Sequence, residues 1–590
     1  MKNKLSFGKK LPRSQKNYRV GNADFNFASC VNRSKVVLFA FSLILAGGLF
    51  FSSCKTVDVT APFGNLSSEQ SARLTKVIST KNGDVRGIKN ADSSVELFAG
   101  IPFAAPPVGD LRWKEPQDFS WDGILEADHF APVAMQKQNS KFFNFLFNAY
   151  THSKGSRTDY APMSEDCLYL NIWRPAEYFD GDKDKTAILD ENADGKNNAS
   201  KKSLLPVLVY IHGGSLMSGS SWYENYDGEN LCKDGIIVVT VAYRTGVFGY
   251  FALEDLAKES PFGSTGNYGL LDQIKALNWV HENIEAFGGD VNNITIAGES
   301  AGSSSVNALC ASPLTKGLFR RAIGESSSLV VQVPSHTFRS MDAATKMGHD
   351  IMAEFKAKNL ADLRKIPAKK LIKTRYANNS MTVDGYALTE YPWETYAKGQ
   401  NHEEALMNGF NAREGFGFTF FTNINMGNYK KVLAASPYIT DVDALCAINP
   451  PKNSRQAKSF YSDIFSVICF TYPHDSWTKV VSAQGRPVYE YFFSKENGGI
   501  GTNHSGEMIY AYRNVPRNKN YDEKDFELEK IMSSYWVNFV KNGNPNGDGL
   551  PLWQSYSQSN GLLLELGETV KMRQDPFETY YKYIDFNIVK

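Results

Sequence analysis

Short uninterrupted apolar runs alternate along this chain with stretches whose apolar residues recur at helical spacing. The run 207–211 is continuous and ends at His212-Gly213-Gly214, and 236–242 is a second, rich in β-branched residues. Between residues 270 and 287 apolar side chains fall at 270, 271, 274, 277, 280, 284 and 287, which is one face of a helix. That face stops at Gly288-Gly289, where a helix takes its C-terminal glycine. A short run, 294–297, then leads directly into Gly298, and 405–410 and 488–493 read as further strands, each followed by a loop. Strands alternating with helices predict an α/β fold with a mostly parallel central sheet flanked by helices. Such sheets carry their chemistry on loops at the carboxyl ends of the strands.

Before this pattern begins, residues 36–51 form a weakly polar-to-apolar run, VVLFAFSLILAGGLFF, free of charge and preceded by Arg33 and Lys35. Small residues Ser52 and Ser53 follow, then Cys54. A basic region, a short apolar core and a small-residue cleavage site describe an export signal. Sixteen residues are few for a membrane-spanning helix, which takes about 20. The Phe-Ser-Ser-Cys end resembles a bacterial lipoprotein box, in which the cysteine is lipidated and becomes the new N-terminus. The expected organisation is a leader over 1–53, a tether over 54–72 and a catalytic body over 73–590. Within the body, the polar, highly charged stretch 180–203 is expected to be a surface loop. The expected address is the cell envelope, with membrane attachment through a lipid on Cys54; a plainly cleaved signal and an uncleaved anchor are the alternatives.

Charge sharpens this picture. Residues 1–53 hold nine Lys and Arg and one Asp, so the net charge of +1 becomes −7 (55 bases, 62 acids) once they are removed. A mildly acidic body offers no electrostatic footprint for nucleic acid. Five cysteines remain in the body, Cys167, Cys232, Cys310, Cys446 and Cys469, with no CxxC spacing, and no HExxH occurs. Neither a disulfide framework nor a metal or other cofactor is called for.

The chemistry centres on Gly298-Glu299-Ser300-Ala301-Gly302, which fits G-x-S-x-G. That pattern is a nucleophile elbow when it links a strand to a helix, because glycines on either side let a strained serine turn fit between them. A chain this long shows such a pentapeptide by chance about 0.3 times, so context has to carry it. The strand 294–297 before it and the small-residue run 301–306 after it supply that context. By contrast Gly324-Glu325-Ser326-Ser327-Ser328 lacks the closing glycine and reads as a decoy. A serine hydroxyl needs a base, and the base needs an orienting group. Glu414, after the strand 405–410, and His504, in a glycine-rich loop after the strand 488–493, stand in the order this fold uses. By position alone the ordinary readings prevail, a solvated Glu414 and a hydrogen-bonded structural His504. Gly213 and Gly214, with the amide of Ala301, match the backbone donors that stabilise an oxyanion.

With these motifs in view, the chain resembles the type B carboxylesterases, the cholinesterase-like family of the α/β-hydrolase fold. The matching stretches include Phe98-Ala99-Gly100-Ile101-Pro102-Phe103-Ala104, Ser164-Glu165-Asp166-Cys167-Leu168-Tyr169-Leu170-Asn171-Ile172-Trp173 and Gly266-Asn267-Tyr268-Gly269-Leu270-Leu271-Asp272-Gln273. Further on come Phe287-Gly288-Gly289-Asp290, the elbow, and Gly543-Asn544-Pro545-Asn546, so the likeness runs from about residue 76 to about 580. It implies a single large domain with insertions and a serine hydrolase of small-molecule carboxylic esters working through an acyl-enzyme. It also implies that Ser300, His504 and Glu414 form the triad, with Gly213, Gly214 and Ala301 as the oxyanion hole and Glu299 and Ser326 supporting them from behind. The departures are informative. Ala134 stands where a partner for Cys167 is expected, Asp362 stands where another cysteine is, and 138–160 contains no tryptophan, which argues against choline esters. Phe142, Phe143, Phe145 and Phe147 in that segment suit an apolar wall or simple packing. A silent adhesion or binding module is the alternative from another class. Thioester or amide hydrolysis keeps the same chemistry on another bond.

Overall fold

The computed structural model describes residues 73–138, 161–178, 203–332 and 338–586. The leader, the tether and nearly all of the 138–160 and 180–203 stretches lie outside the described residues.

One sheet of eleven strands organises the body. In chain order the strands are β1 (Ile88–Lys89), β2 (Val95–Pro102), β3 (Tyr169–Pro175), β4 (Leu205–Ile211), β5 (Ile237–Val241) and β6 (Gly289–Glu299). They continue with β7 (Arg321–Glu325), β8 (Ala405–Asn411), β9 (Val488–Phe493), β10 (Leu563–Leu566) and β11 (Val570–Arg573). Across the sheet they run β11-β10-β9-β8-β7-β6-β4-β5-β3-β2-β1. The block from β5 to β10 is parallel, with antiparallel strands at both ends. This is the α/β architecture read from the hydrophobic pattern.

The reason for the continuous apolar runs is visible in β4. Val207, Val209 and Ile211 belong to the core on one face of the sheet, whereas Leu208 and Tyr210 belong to the core on the other. A parallel strand covered on both sides has no polar face to show. Helices α1 (Tyr268–Asn283), α2 (Ala301–Ala311), α3 (Ser454–Ser466) and α4 (Tyr472–Ala483) contribute Leu270, Leu309, Ile464 and Trp477 to the first core. Helix α5 (Glu523–Asn542) covers the opposite face with Met532, Trp536 and Phe539. Each such side chain contributes about 1.5–3 kcal/mol by leaving water.

Two boundaries differ from the sequence reading. The apolar periodicity to residue 287 spans two elements, since α1 ends at Asn283 and a 3₁₀ turn, Ile284–Phe287, completes it. Gly288 then closes the turn with φ +84°, the left-handed cap that its position called for. The run 294–297 is the buried end of a longer strand, β6, whose first half is polar and irregular in register.

Several family-like motifs serve as buried braces. Arg112 forms a bidentate pair with Glu165 at 2.5 and 2.5 Å, and Arg244 pairs with Asp272 at 2.7 and 2.8 Å. Asn171 donates to Ser221 and Thr240 while accepting from Gly100. Cys167 is buried and, like the other four described cysteines, forms no disulfide with a described residue, and it lines one small cavity together with Ala134.

Candidate active site

Parallel register brings the ends of β6, β7, β8 and β9 level. Glu299 lies opposite Glu325, Glu325 opposite Gly409, and Gly409 opposite Tyr491. Ser300 is thus the first residue beyond β6 and Ser326 the first beyond β7, with the Ser300 amide donating to the Glu325 carbonyl at 2.8 Å.

Ser300 links β6 to α2 in one step and has φ +55° and ψ −125°, a strained turn for a residue with a side chain. The two flanking glycines are required sterically. A Cβ on Gly298 would stand 2.5 Å from the carbonyl carbon of Gly302, and one on Gly302 would stand 2.1 Å from the Ile211 oxygen. The strand–elbow–helix context asked of the motif is therefore present. Ser326, in the sequence read as a decoy, also has a positive φ of 57°. That segment ends the neighbouring strand and lies beside the elbow.

The segment after β4 passes directly over this turn. A Cβ on Gly213 would lie 3.1 Å from Ser300 Cβ and 2.9 Å from Glu299 Oε2. Gly214 has φ +104°, and Ser215 and Leu216 follow at 58° and 57°. Among the described residues no hydrogen bond engages the amides of Gly213 and Gly214. The Ala301 amide belongs to the first turn of α2, where helical N–H groups have no partner within the helix. His212 stacks on Tyr243 at 4.3 Å, and burial lowers its pKa to about 4, leaving it a neutral brace.

Glu414 and His504 meet although they are 90 residues apart. Glu414 Oε2 lies 2.5 Å from His504 Nδ1, and Glu414 Oε1 accepts the Asn411 amide at 2.8 Å. Their two loops are laced together. The Arg413 amide donates to the Thr502 carbonyl at 3.0 Å, and Asn411 Nδ2 donates to the Asn503 carbonyl at 3.0 Å. The other imidazole nitrogen, Nε2, stands 3.2 Å from Glu299 Oε1. The Ser300 hydroxyl makes no hydrogen bond to a described residue. The structure therefore brings Glu414 to His504, brings Gly213 to Ser300, and leaves His504 Nε2 on Glu299 instead of on Ser300.

Four buried carboxylates surround this point. Glu414 is one. Glu507 accepts from Ser326 Oγ at 2.9 Å and from Asn411 Nδ2, and Glu325 accepts from Trp536 Nε1 at 2.7 Å. Glu299 accepts from Ser505 Oγ at 2.5 Å. Burial, the largest influence in each case, raises the pKa of Glu299, Glu325 and Glu507, the last to about 8. For His504 burial alone would disfavour the cation. The charges of Glu299 and Glu414, the bond to Glu414 and the charge of Glu507 outweigh it and raise the imidazole to about 9.

Phe418 and Phe470 pack against the His504 ring at centroid distances of 5.2 and 5.0 Å. Phe470 sits on a π-helical turn, Val467–Thr471, between α3 and α4, an irregularity common at functional sites. Sequence reasoning did not single out Glu325, Glu507, Ser505, Phe418 or Phe470. Glu507 lay three residues beyond His504 in the same glycine-rich loop, and Glu325 lay in the segment set aside as a decoy. The phenylalanines left no periodic signal. Among the described residues no group of three or more His, Cys, Asp or Glu side chains is placed to hold a metal ion.

A doubly covered parallel sheet with a strained serine elbow and an imidazole–carboxylate pair on loops after later strands defines a serine hydrolase of the α/β-hydrolase class. The sequence model of the carboxylesterase family matches residues 74–584. The chain belongs to that family and is a serine carboxylic-ester hydrolase. It is 31% identical over 513 residues to the fumonisin B1 esterase of Sphingopyxis macrogoltabida, covering 83% of this chain and 86% of that protein. It is likewise 31% identical over 552 residues to liver carboxylesterase 1 of Oryctolagus cuniculus, covering 84% and 91%. A crystal structure of a Geobacillus stearothermophilus carboxylesterase at pH 6.2 is similar with a TM-score of 0.69 and 29% identity. That match covers 87% of this chain and all of the other.

Proposed function

We propose that Ser300 is the nucleophile, His504 its general base and Glu414 the carboxylate that orients the imidazole. The observation that carries this reading is the 2.5 Å bond between Glu414 and His504 on loops laced together beside the Ser300 elbow. In the neutral imidazole, Glu414 accepts a hydrogen bond from Nδ1–H, which fixes the tautomer and leaves the lone pair of Nε2 to act as base. Nε2 takes the Ser300 proton as the oxygen attacks an ester carbonyl. The new oxyanion is stabilised by the amides of Gly213, Gly214 and Ala301, whose free N–H groups support that role. Collapse expels the alcohol, which receives the proton from Nε2, and an acyl-enzyme remains. Water then attacks with the same base and releases the acid. Glu299 and Ser326 support the site from behind, and Phe418 and Phe470 offer an apolar wall for the ester's acyl or alcohol group. A fluorophosphonate probe tests the assignment. It labels the wild-type protein and leaves Ser300→Ala unlabelled, whereas a silent binding module leaves both unlabelled. A panel of nitrophenyl esters, thioesters and anilides of graded chain length identifies the preferred bond and acyl group.

The same protein is proposed to act at the cell envelope, held by a lipid on Cys54. The basic region, the apolar run 36–51 and the Ser52-Ser53-Cys54 end support this address. It suits an enzyme that meets external esters. Mass spectrometry of the mature N-terminus decides it, since an unmodified residue other than Cys54 excludes the anchor.

A further inference from the structure

We propose that Ser505 is a positioning residue that holds the Glu299 carboxylate against His504 Nε2, so that the imidazole turns to Ser300 only when this contact is given up. The inference rests on the triad reading above and concerns the group that competes with it.

One oxygen atom carries the case. Glu299 Oε1 accepts the Ser505 hydroxyl at 2.5 Å and lies 3.2 Å from His504 Nε2. The nitrogen that must take a proton from Ser300 is therefore occupied, and the neighbour of the histidine itself supplies the second bond to the occupying group. The other oxygen, Oε2, lies on the far side, close enough to Gly213 that a Cβ there would stand 2.9 Å from it. The carboxylate is thus wedged between the segment of the free amides and the imidazole.

The backbone at Ser505 is held in an uncommon state for this purpose. Its φ is +70°, a left-handed conformation that favours glycine, and Gly506 comes immediately after it. A serine placed here bears a conformational cost and returns a short hydrogen bond to a buried anion, which counts among the stronger ones. The groups facing this pair are Glu414 on Nδ1, Glu507 on the same loop, Glu325 at the end of β7, and the Tyr210, Tyr226 and Tyr512 phenols. All are carboxylates or neutral hydroxyls. None of these groups can carry the positive charge that the raised pKa gives His504. The Ser505 bond stabilises the ionised form of Glu299 and so stabilises the imidazolium beside it.

The consequence is measurable. In Ser505→Ala, Glu299 loses a donor, ionises less readily and attracts the imidazolium less. The acidic limb of kcat/KM on a nitrophenyl ester should then move about half to one pH unit lower. Ser505→Gly, which suits the positive φ, should move it by the same amount and excludes misfolding as the cause. In a Glu299→Gln background the Ser505→Ala change should have no further effect on the limb. The same titration followed by NMR of the His504 imidazole in Ser300→Ala protein gives a reading independent of turnover. A limb within about 0.2 pH unit of the parent in both Ser505 variants overturns the proposal. So does a shift that persists in full in the Glu299→Gln background. An inactive parent whose imidazole titration nevertheless shifts on Ser505→Ala would refute the triad reading while leaving the Ser505–Glu299–His504 linkage standing.

Discussion

Glu299 and Glu325 lie directly opposite each other at the ends of two neighbouring parallel strands, and each is followed by a serine with positive φ. Only the first of these serines opens a helix flanked by glycines on both sides. The second donates its hydroxyl to Glu507 at 2.9 Å and is thereby committed to the scaffold. Two strand ends of nearly the same sequence are given different work by the residues just beyond each serine.

Ser300→Ala should keep the fold, since the hydroxyl makes no hydrogen bond to a described residue. Its kcat/KM should fall by at least about 10⁴-fold, as for other triads that lose their nucleophile. Steady-state assays with a short-chain nitrophenyl ester, together with circular dichroism, check both halves.

Activity should rise with pH on its acidic side. With a folded-state pKa raised to about 9, His504 is an imidazolium at neutrality and becomes a base as the pH climbs through that value. Stability should move the other way. Any group whose folded pKa exceeds its unfolded one gives stability below the unfolded value and loses it as pH rises through the folded one. For His504 that loss runs from 6.5 to about 9, and for Glu507 from 4.5 to about 8. Thermal melts across pH 6 to 10 should therefore show a falling midpoint where the rate is still increasing, and Glu507→Gln should flatten the fall.

Gly213→Ala should cost about 10²–10³-fold in kcat. The added methyl would stand 2.6 Å from the Glu299 carbonyl oxygen and 3.1 Å from Ser300 Cβ, which forces the segment of the free amides off the serine. An unchanged KM accompanying the lower kcat would mark the loss as one of transition-state stabilisation.

Glu325→Gln should be almost silent in a melt, because burial already favours the neutral acid and glutamine can still accept from Trp536. Glu325→Ala leaves that indole N–H unpaired and opens a void, at a cost of about 2–4 kcal/mol. Denaturant titration of both variants separates the two outcomes.

The sheet was legible because a strand buried on both faces cannot hide its pattern: 207–211 is continuous and apolar, 488–493 is broken only by the buried Glu490, and both lie in strands. The elbow was legible because its glycines answer to close contacts, and the Arg112–Glu165 and Arg244–Asp272 pairs explain why motifs far from the serine read so clearly. The residues that escaped depend on register. Glu325 approaches Glu299 only because β6 and β7 are level, and no spacing within either segment announces it. Ser505 escaped for another reason: its role needs a hydroxyl direction, and that comes from a backbone angle the sequence does not spell out.

The lacing of the Glu414 and His504 loops has a consequence for how this architecture can diversify. The Arg413–Thr502 and Asn411–Asn503 bonds clamp the two loops at their roots and so hold Glu414 and His504 at a fixed separation. Residues 421–428 lie beyond Phe418 and outside these clamps, so they can lengthen, shorten or be exchanged without moving the Glu414–His504 pair. Swapping that segment from a relative of different acyl preference tests whether selectivity changes while the pair stays in place.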